Sequence, residues 1–223
     1  MSAHFSSELF RFLTELRANN NREWFLANRD RYDADVRDPC REFISAVGPR
    51  LRAIGRHFVA DPRPSGGSLF RIYRDVRFSK DKSPYKTHAG IRFRHGGETK
   101  DAHVPGFYLR LEPGGSFAGA GLWHPDPAAL KKVRDAIVTR PQAWRAVLAS
   151  KPPLDGDALR RPPQGYPPDH PFIGDLKRKD FVTTVTFTNA QVLSPQFLSA
   201  FIKTCRSASP LLQFLTRALG LPW

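Results

Sequence analysis

The feature that most constrains this chain is a switch in hydrophobic period near residue 69. Before it, Phe5, Leu9, Phe12, Leu13 and Leu16 recur at helical spacing. Phe25, Tyr32, Val36, Cys40, Phe43, Ile44, Val47, Leu51 and Ile54 form a second helical stripe. After it, segments 69–79, 88–95, 106–112 and 116–122 alternate apolar and polar residues as half-buried strands do. Helical spacing returns at 126–138, with Asp126 as cap and Pro127 following, and again at 141–149. Residues 181–188 alternate as a fifth strand. Ser194-Pro195 then opens a helix carrying Phe197, Leu198, Phe201, Ile202 and Cys205, and Ser209-Pro210 opens a last one, ended by Gly220. Helices, then a meander, then helices predict an α+β fold with an antiparallel sheet of about five strands and helices packed on one face. One domain is expected over residues 1–223.

Local chemistry sets the joints. Asn19-Asn20-Asn21 ends the first helix, since Asn tolerates the left-handed conformation of a helix exit. Asp38 as cap and Pro39 at the first helical position restart the second, with a kink as the alternative. Glu112-Pro113-Gly114-Gly115 is a hairpin turn. Residues 152–171 hold seven of the 20 prolines and read as an ordered surface loop or a lid.

With 223 residues and 17 Phe there is core material enough to fold without disulfide or metal. The two cysteines, Cys40 and Cys205, fall within apolar helical patterns and read as small buried hydrophobes. The N-terminus lacks the parts of a signal peptide, and no apolar run reaches membrane-spanning length, so a cytoplasmic location without membrane contact is expected. The net charge of +14 favours acidic partners. Arg supplies 25 of the 35 basic residues, a bias that genome base composition can also produce, and the excess is spread along the chain.

The block 71-RIYRDVRFSKDKSPYKTH-88 is least like generic sequence. As a strand, 69–79 puts Phe70, Ile72, Val76 and Phe78, broken by Arg74, on a core face and Arg71, Tyr73, Asp75 and Arg77 on the other. The next strand repeats the division, with Ile91 and Phe93 opposed to His88, Gly90, Arg92 and Arg94. If the two pair as antiparallel neighbours, the arginines share one sheet face, and Lys80, Lys82 and Lys86 crown it from the connecting loop. Between residues 69 and 100 nine basic residues face three acidic ones. Like charges opposed on a sheet repel, and Arg forks grip phosphate or carboxylate oxygens. Two other readings of the same face stand beside anion binding: a solvated face with structural Arg–Asp pairs, and a surface for another protein.

Tyr108, Arg110 and Glu112 alternate with Phe107, Leu109 and Leu111. The partner strand, Phe117-Ala118-Gly119-Ala120-Gly121-Leu122, carries almost no side chain. Glycines there mark either a ligand's approach or a close-packed helix. Trp123 and His124 close that hairpin. Arg22 and Arg29, among Asn20, Asn21, Trp24 and Asn28, either support the sheet face or serve capping and salt bridges.

With these residues in view, the chain resembles the bacterial and fungal family catalogued as domain of unknown function 2461. The resemblance rests on Asn19–Phe25 with Asn28, Arg29 and Tyr32, on residues 71–88, on Gly119–Pro125, on Leu159–Pro162 and on Pro210–Leu215. It implies a cytosolic α+β domain with no assigned activity and no catalytic residues to carry over.

Familiar chemistry is missing. There is no G-x-x-x-x-G-K-[ST], G-x-G-x-x-G or G-x-S-x-G, and neither Cys nor His spacing calls for a metal. No cofactor is expected. The favoured expectation is a site for an anionic small molecule, phosphate or carboxylate, built from Arg71, Tyr73, Asp75, Arg77, Lys80, Lys82, Lys86, His88, Arg92, Arg110, Trp123 and His124. The alternatives are a nucleic-acid-binding module on the same face and a non-catalytic interaction domain. Catalysis is left open.

Overall fold

A computed structural model describes residues 3–97, 103–150 and 153–223. The first helix, α1 (Ser7–Ala18), buries Leu9, Phe10, Phe12, Leu13 and Leu16, the stripe its spacing predicts. Asn19 ends it, but not through the left-handed conformation. Its φ is −124°, and its side-chain amide donates to the Glu15 carbonyl at 3.0 Å. Asn21 caps α2 (Arg22–Ala27), accepting from the Trp24 N–H at 2.9 Å.

Helix α3 (Arg29–Tyr32) runs through a π-helical turn, Asp33–Arg37, into α4 (Asp38–Arg52). Pro39 sits in the first turn of α4, yet Asp38 has helical dihedrals and its carboxylate pairs with Arg37 and Arg41 instead of capping. Tyr32, Val36 and Cys40, four residues apart, stay on one buried stripe through this turn.

Five antiparallel strands follow in sequential order: β1 (Phe58–Val59), β2 (Ala89–His95), β3 (Gly106–Leu111), β4 (Ser116–Leu122) and β5 (Phe181–Phe187). Ile91, Phe93, Phe107, Leu109, Leu111, Ala118 and Ala120 face the helices and are buried in one cluster with α1 and α4. The opposite face is ordered in rows by register. Arg92 pairs Tyr108, which pairs Gly119, which pairs Thr184; beside it run Gly90, Arg110, Phe117 and Thr186.

The meander differs from expectation in one member. Residues 69–79 are not a strand, and β1 takes the edge instead. Segment 69–79 touches its neighbours at two isolated antiparallel bridges, Leu69 to Ile91 and Tyr73 to Tyr85. Ile72 is buried and Arg71, Tyr73 and Arg77 are exposed, as alternation requires, but Phe70 and Phe78 are 41% and 96% exposed instead of core. The ladder fails at Pro84. Its carbonyl accepts from the Arg74 N–H at 2.9 Å, but proline has no N–H to return.

Helix α5 (Pro127–Thr139) is capped by Asp126, which accepts from the Ala129 N–H at 2.9 Å. With α6 (Pro141–Ala149), α7 (Ile173–Leu176) and the second half of α9 (Phe197–Ala218) it forms a second apolar cluster on Leu122 and Phe181. A short α8 (Asn189–Val192) precedes α9. Helix α9 passes straight through Pro210, where a new helix was expected. Proline removes the N–H that would bond the Arg206 carbonyl. The Ser209 hydroxyl donates to that carbonyl at 2.7 Å, which repairs the loss. Among the described residues no helix is long and apolar enough to cross a membrane.

Candidate functional site

The side chains that meet on the open face of the sheet come from the 69–88 connection and from β2 and β3. Gly90 is their centre. A methyl group there would lie 2.8 Å from the Tyr108 hydroxyl and 3.1 Å from the Phe70 ring, so both close over a position that glycine keeps bare. Lys86 lies across Phe70, with its ammonium 5.5 Å from the ring centroid, and donates to the Arg71 carbonyl at 2.7 Å. Burial and the Arg71 charge lower its pKa. Among the described residues no carboxylate pairs with Lys86 or Arg71.

His88 is half-buried one residue before β2. Its pKa is depressed to about 4, first by burial, then by Arg110, with Glu112 opposing and Lys86 adding. The imidazole is therefore neutral near pH 7, and no described residue bonds its ring nitrogens. The Tyr108 hydroxyl is also without a bonded partner among the described residues, and burial raises its pKa. Arg110 is held by Glu112 at 2.7 Å, and Glu112 is shared with Arg17 of α1 at 2.9 Å. Arg92 is half-buried and stands opposite Tyr108. Phe70, Tyr108 and Phe117 make a row of tilted rings at 6.2 and 5.8 Å.

The other sequence-predicted residues are elsewhere. The loop beyond Tyr73 spends its charges on itself. Arg77 grips Asp75 through two bonds of 2.9 and 2.7 Å, and this pair lowers the Asp75 pKa. Arg74 pairs with Asp81, and Lys82 donates to the Val76 carbonyl at 3.0 Å. Lys80 is exposed on the same loop, and Tyr73 packs edge-on to Phe25. The repulsion expected from alternation is thus relieved within the loop, where Asp75 binds Arg77 and also feels the Arg71 charge. Trp123 and His124 lie at the far end of β4. His124 adopts φ +47°, with its N–H donated to buried Asp180 at 2.7 Å, and Trp123 is 69% exposed. Arg22 and Arg29 are exposed at α2 and α3.

Asn20 was missed as a site element. Its side-chain amide pairs with the Tyr85 backbone in both directions, donating to the carbonyl at 2.9 Å and accepting from the N–H at 3.0 Å. The Tyr85 ring stacks on Phe25 at 4.1 Å. One residue from Lys86, the connection is thereby fastened to the helical layer. The Asn run signalled an unusual junction, but its partner lies 65 residues away.

Two clefts lie apart from this cluster. One is lined by Gly114 and Thr186–Gln191, the other by Gly97, His103, Asp126, Lys132 and Leu221 among others. Neither is walled by residues 153–171. Among the described residues no three His, Cys, Asp or Glu side chains gather as a metal site would need.

Fold and face together define a helix-backed antiparallel meander whose open side carries cations beside aromatic rings. The chain belongs to the DUF2461 family, described as conserved hypothetical protein, whose model matches residues 8–214. No curated protein matches the chain.

Proposed function

We propose that the open sheet face binds a small-molecule oxyanion, phosphate or carboxylate, around Gly90. One observation carries this reading. Near Gly90, Lys86 beside the Arg71 charge, neutral His88 and the Tyr108 hydroxyl keep hydrogen-bonding capacity that the described residues leave unused, the Lys86 bond to the Arg71 carbonyl apart. A half-buried ammonium beside a second cation is unfavourable until an anion compensates it. Neutral His88 and the Tyr108 hydroxyl supply donors without adding charge. Arg110 is already committed to Glu112 and belongs to the supporting shell of this site.

A second reading has its own observation. Tyr73 and Phe78 on the 69–88 connection and Trp123 at the far end of β4 present exposed rings, as platforms for the bases of a single-stranded nucleic acid would. Titration of a labelled oligonucleotide and of phosphate-bearing metabolites at several salt concentrations separates the two. A partner neutralising about six phosphates of duplex DNA loses roughly 10³-fold in affinity between 50 and 200 mM salt, whereas one phosphate in a site loses far less. The expected result is a shallow slope, a preference among ligands of equal charge and loss of binding in Lys86→Met. Tight oligonucleotide binding with a steep slope, abolished by Lys80/Lys82/Lys86→Ala, reverses the order.

A further inference from the structure

Arg134 projects from α5 and is 9% exposed, a depth at which arginine is ordinarily ion-paired. Among the described residues no carboxylate pairs with it. Its neighbour Asp135 is engaged by Lys131 at 2.7 Å and by the Tyr166 hydroxyl at 2.8 Å. Of the five guanidinium N–H donors the described residues take one, from Nη2 to the Arg178 carbonyl at 3.0 Å. Nε is buried with no partner among them. Burial pulls the Arg134 pKa down, with the Tyr166 hydroxyl countering it. A buried cation lacking a counter-charge is among the least favourable groups a core can hold.

Two segments border it, that of Arg178 through its carbonyl and the loop that carries Tyr166. Residues 155–159 run antiparallel to 177–182, joined from Asp155 to Val182, Lys179 to Asp157 and Leu159 to Lys177 at 2.7–2.8 Å. The chain then loops through the proline-rich stretch, and Tyr166 fastens that loop to α5 through Asp135. Arg178 directs its own guanidinium to Asp175 and the Leu154 carbonyl, so it offers Arg134 an oxygen and not a competing contact with the same acid. Among the described residues no oxygen meets the Nε edge of Arg134.

We propose that Arg134 anchors a second oxyanion site beneath the 160–171 loop, taking a carboxylate or phosphate group on the Nε edge of its guanidinium. A planar fork suits two oxygens of one such group. This site stands on a different helix and a different apolar cluster from the sheet face, and neither depends on the other.

The test is thermal unfolding of the full chain with and without inorganic phosphate, at constant ionic strength, in wild type, Lys86→Met, Arg134→Met and the double variant. Without phosphate, Arg134→Met should melt at or above the wild-type temperature, because an uncompensated charge has been removed. Phosphate at about tenfold excess over its Kd should raise the midpoint of Lys86→Met by roughly 3–6 °C. The double variant should show no rise. In the Lys86→Met background, Arg134→Lys, which keeps the charge but loses the fork, should show less than half of it. A midpoint several degrees lower in phosphate-free Arg134→Met marks the residue as a structural tie and overturns the proposal. So does a phosphate response in the double variant equal to that of Lys86→Met. A response abolished by Lys86→Met alone leaves the sheet-face reading standing and removes this one.

Discussion

Acidification should unfold this protein partly through His88, and the size of the effect follows from its surroundings. The folded-state pKa is about 4 against an ordinary 6.5, because burial disfavours the imidazolium and Arg110 and Lys86 repel it. Between those values the unfolded chain binds a proton that the folded chain refuses. Stability therefore rises with pH across that window, falls as pH drops from 6.5 toward 4, and gains no further slope from this group below it. A shift of this size corresponds to at most about 3.4 kcal/mol at about 1.36 kcal/mol per pH unit. His88 is half-buried, so water screens part of this, and about 2 kcal/mol is the working figure. Urea unfolding of wild type and His88→Gln at pH 7 and pH 4.5 isolates it, since every other titrating group is common to both. We predict that wild type loses about 2 kcal/mol more than the variant over that interval. An anion bound at Gly90 should shrink the difference, because it favours the imidazolium. Equal losses in the two proteins, or an imidazole that titrates by NMR near 6.5, refute the reasoning.

Other perturbations probe the frame and the site. Asn20→Ala strands the Tyr85 N–H and carbonyl in a buried place, and urea unfolding should show a loss of about 1–3 kcal/mol together with weaker phosphate binding. Arg77→Ala removes an exposed pair with Asp75 and a contact over the exposed Phe78 ring, so the melting midpoint should stay within experimental error. Arg71→Ala should likewise leave the midpoint nearly unchanged while reducing phosphate affinity, measured by calorimetric titration. Trp144→Ala empties the centre of the second cluster and breaks the indole bond to Asp175, and should cost about 3–5 kcal/mol in chemical denaturation.

Helices α1, α5 and α6 and strands β2 to β4 were legible because their apolar spacing is a local property that tertiary contacts reinforce. The Asp126 cap belongs to the same class, since cap and partner are three residues apart. Residues 69–79 show the limit. Their alternation is real and sets Ile72 inward and Arg71 outward, but alternation does not reveal whether a partner strand can return its hydrogen bonds. Pro84, together with the Arg74–Asp81 and Asp75–Arg77 pairs, turns that stretch into a braced loop. The same limit applies to Pro210, where the serine before it mends the gap and α9 continues.

Of the candidate site, residue types and the face of β2 and β3 could be read from period 2 alone, which places Arg92, Tyr108 and Arg110 together. Which charges remain available was decided only in three dimensions. Arg77 and Lys82 are satisfied within their own loop, and Arg110 by Glu112. Lys86 and His88 are set against Phe70, Tyr108 and the bare Gly90. The Asn20 clamp on Tyr85 and the burial of Arg134 are equally tertiary. Sequence determines what each side chain can bond and which way a regular backbone points it. Only the folded chain decides which groups spend that capacity on one another, because the competing partners come from residues far apart in sequence.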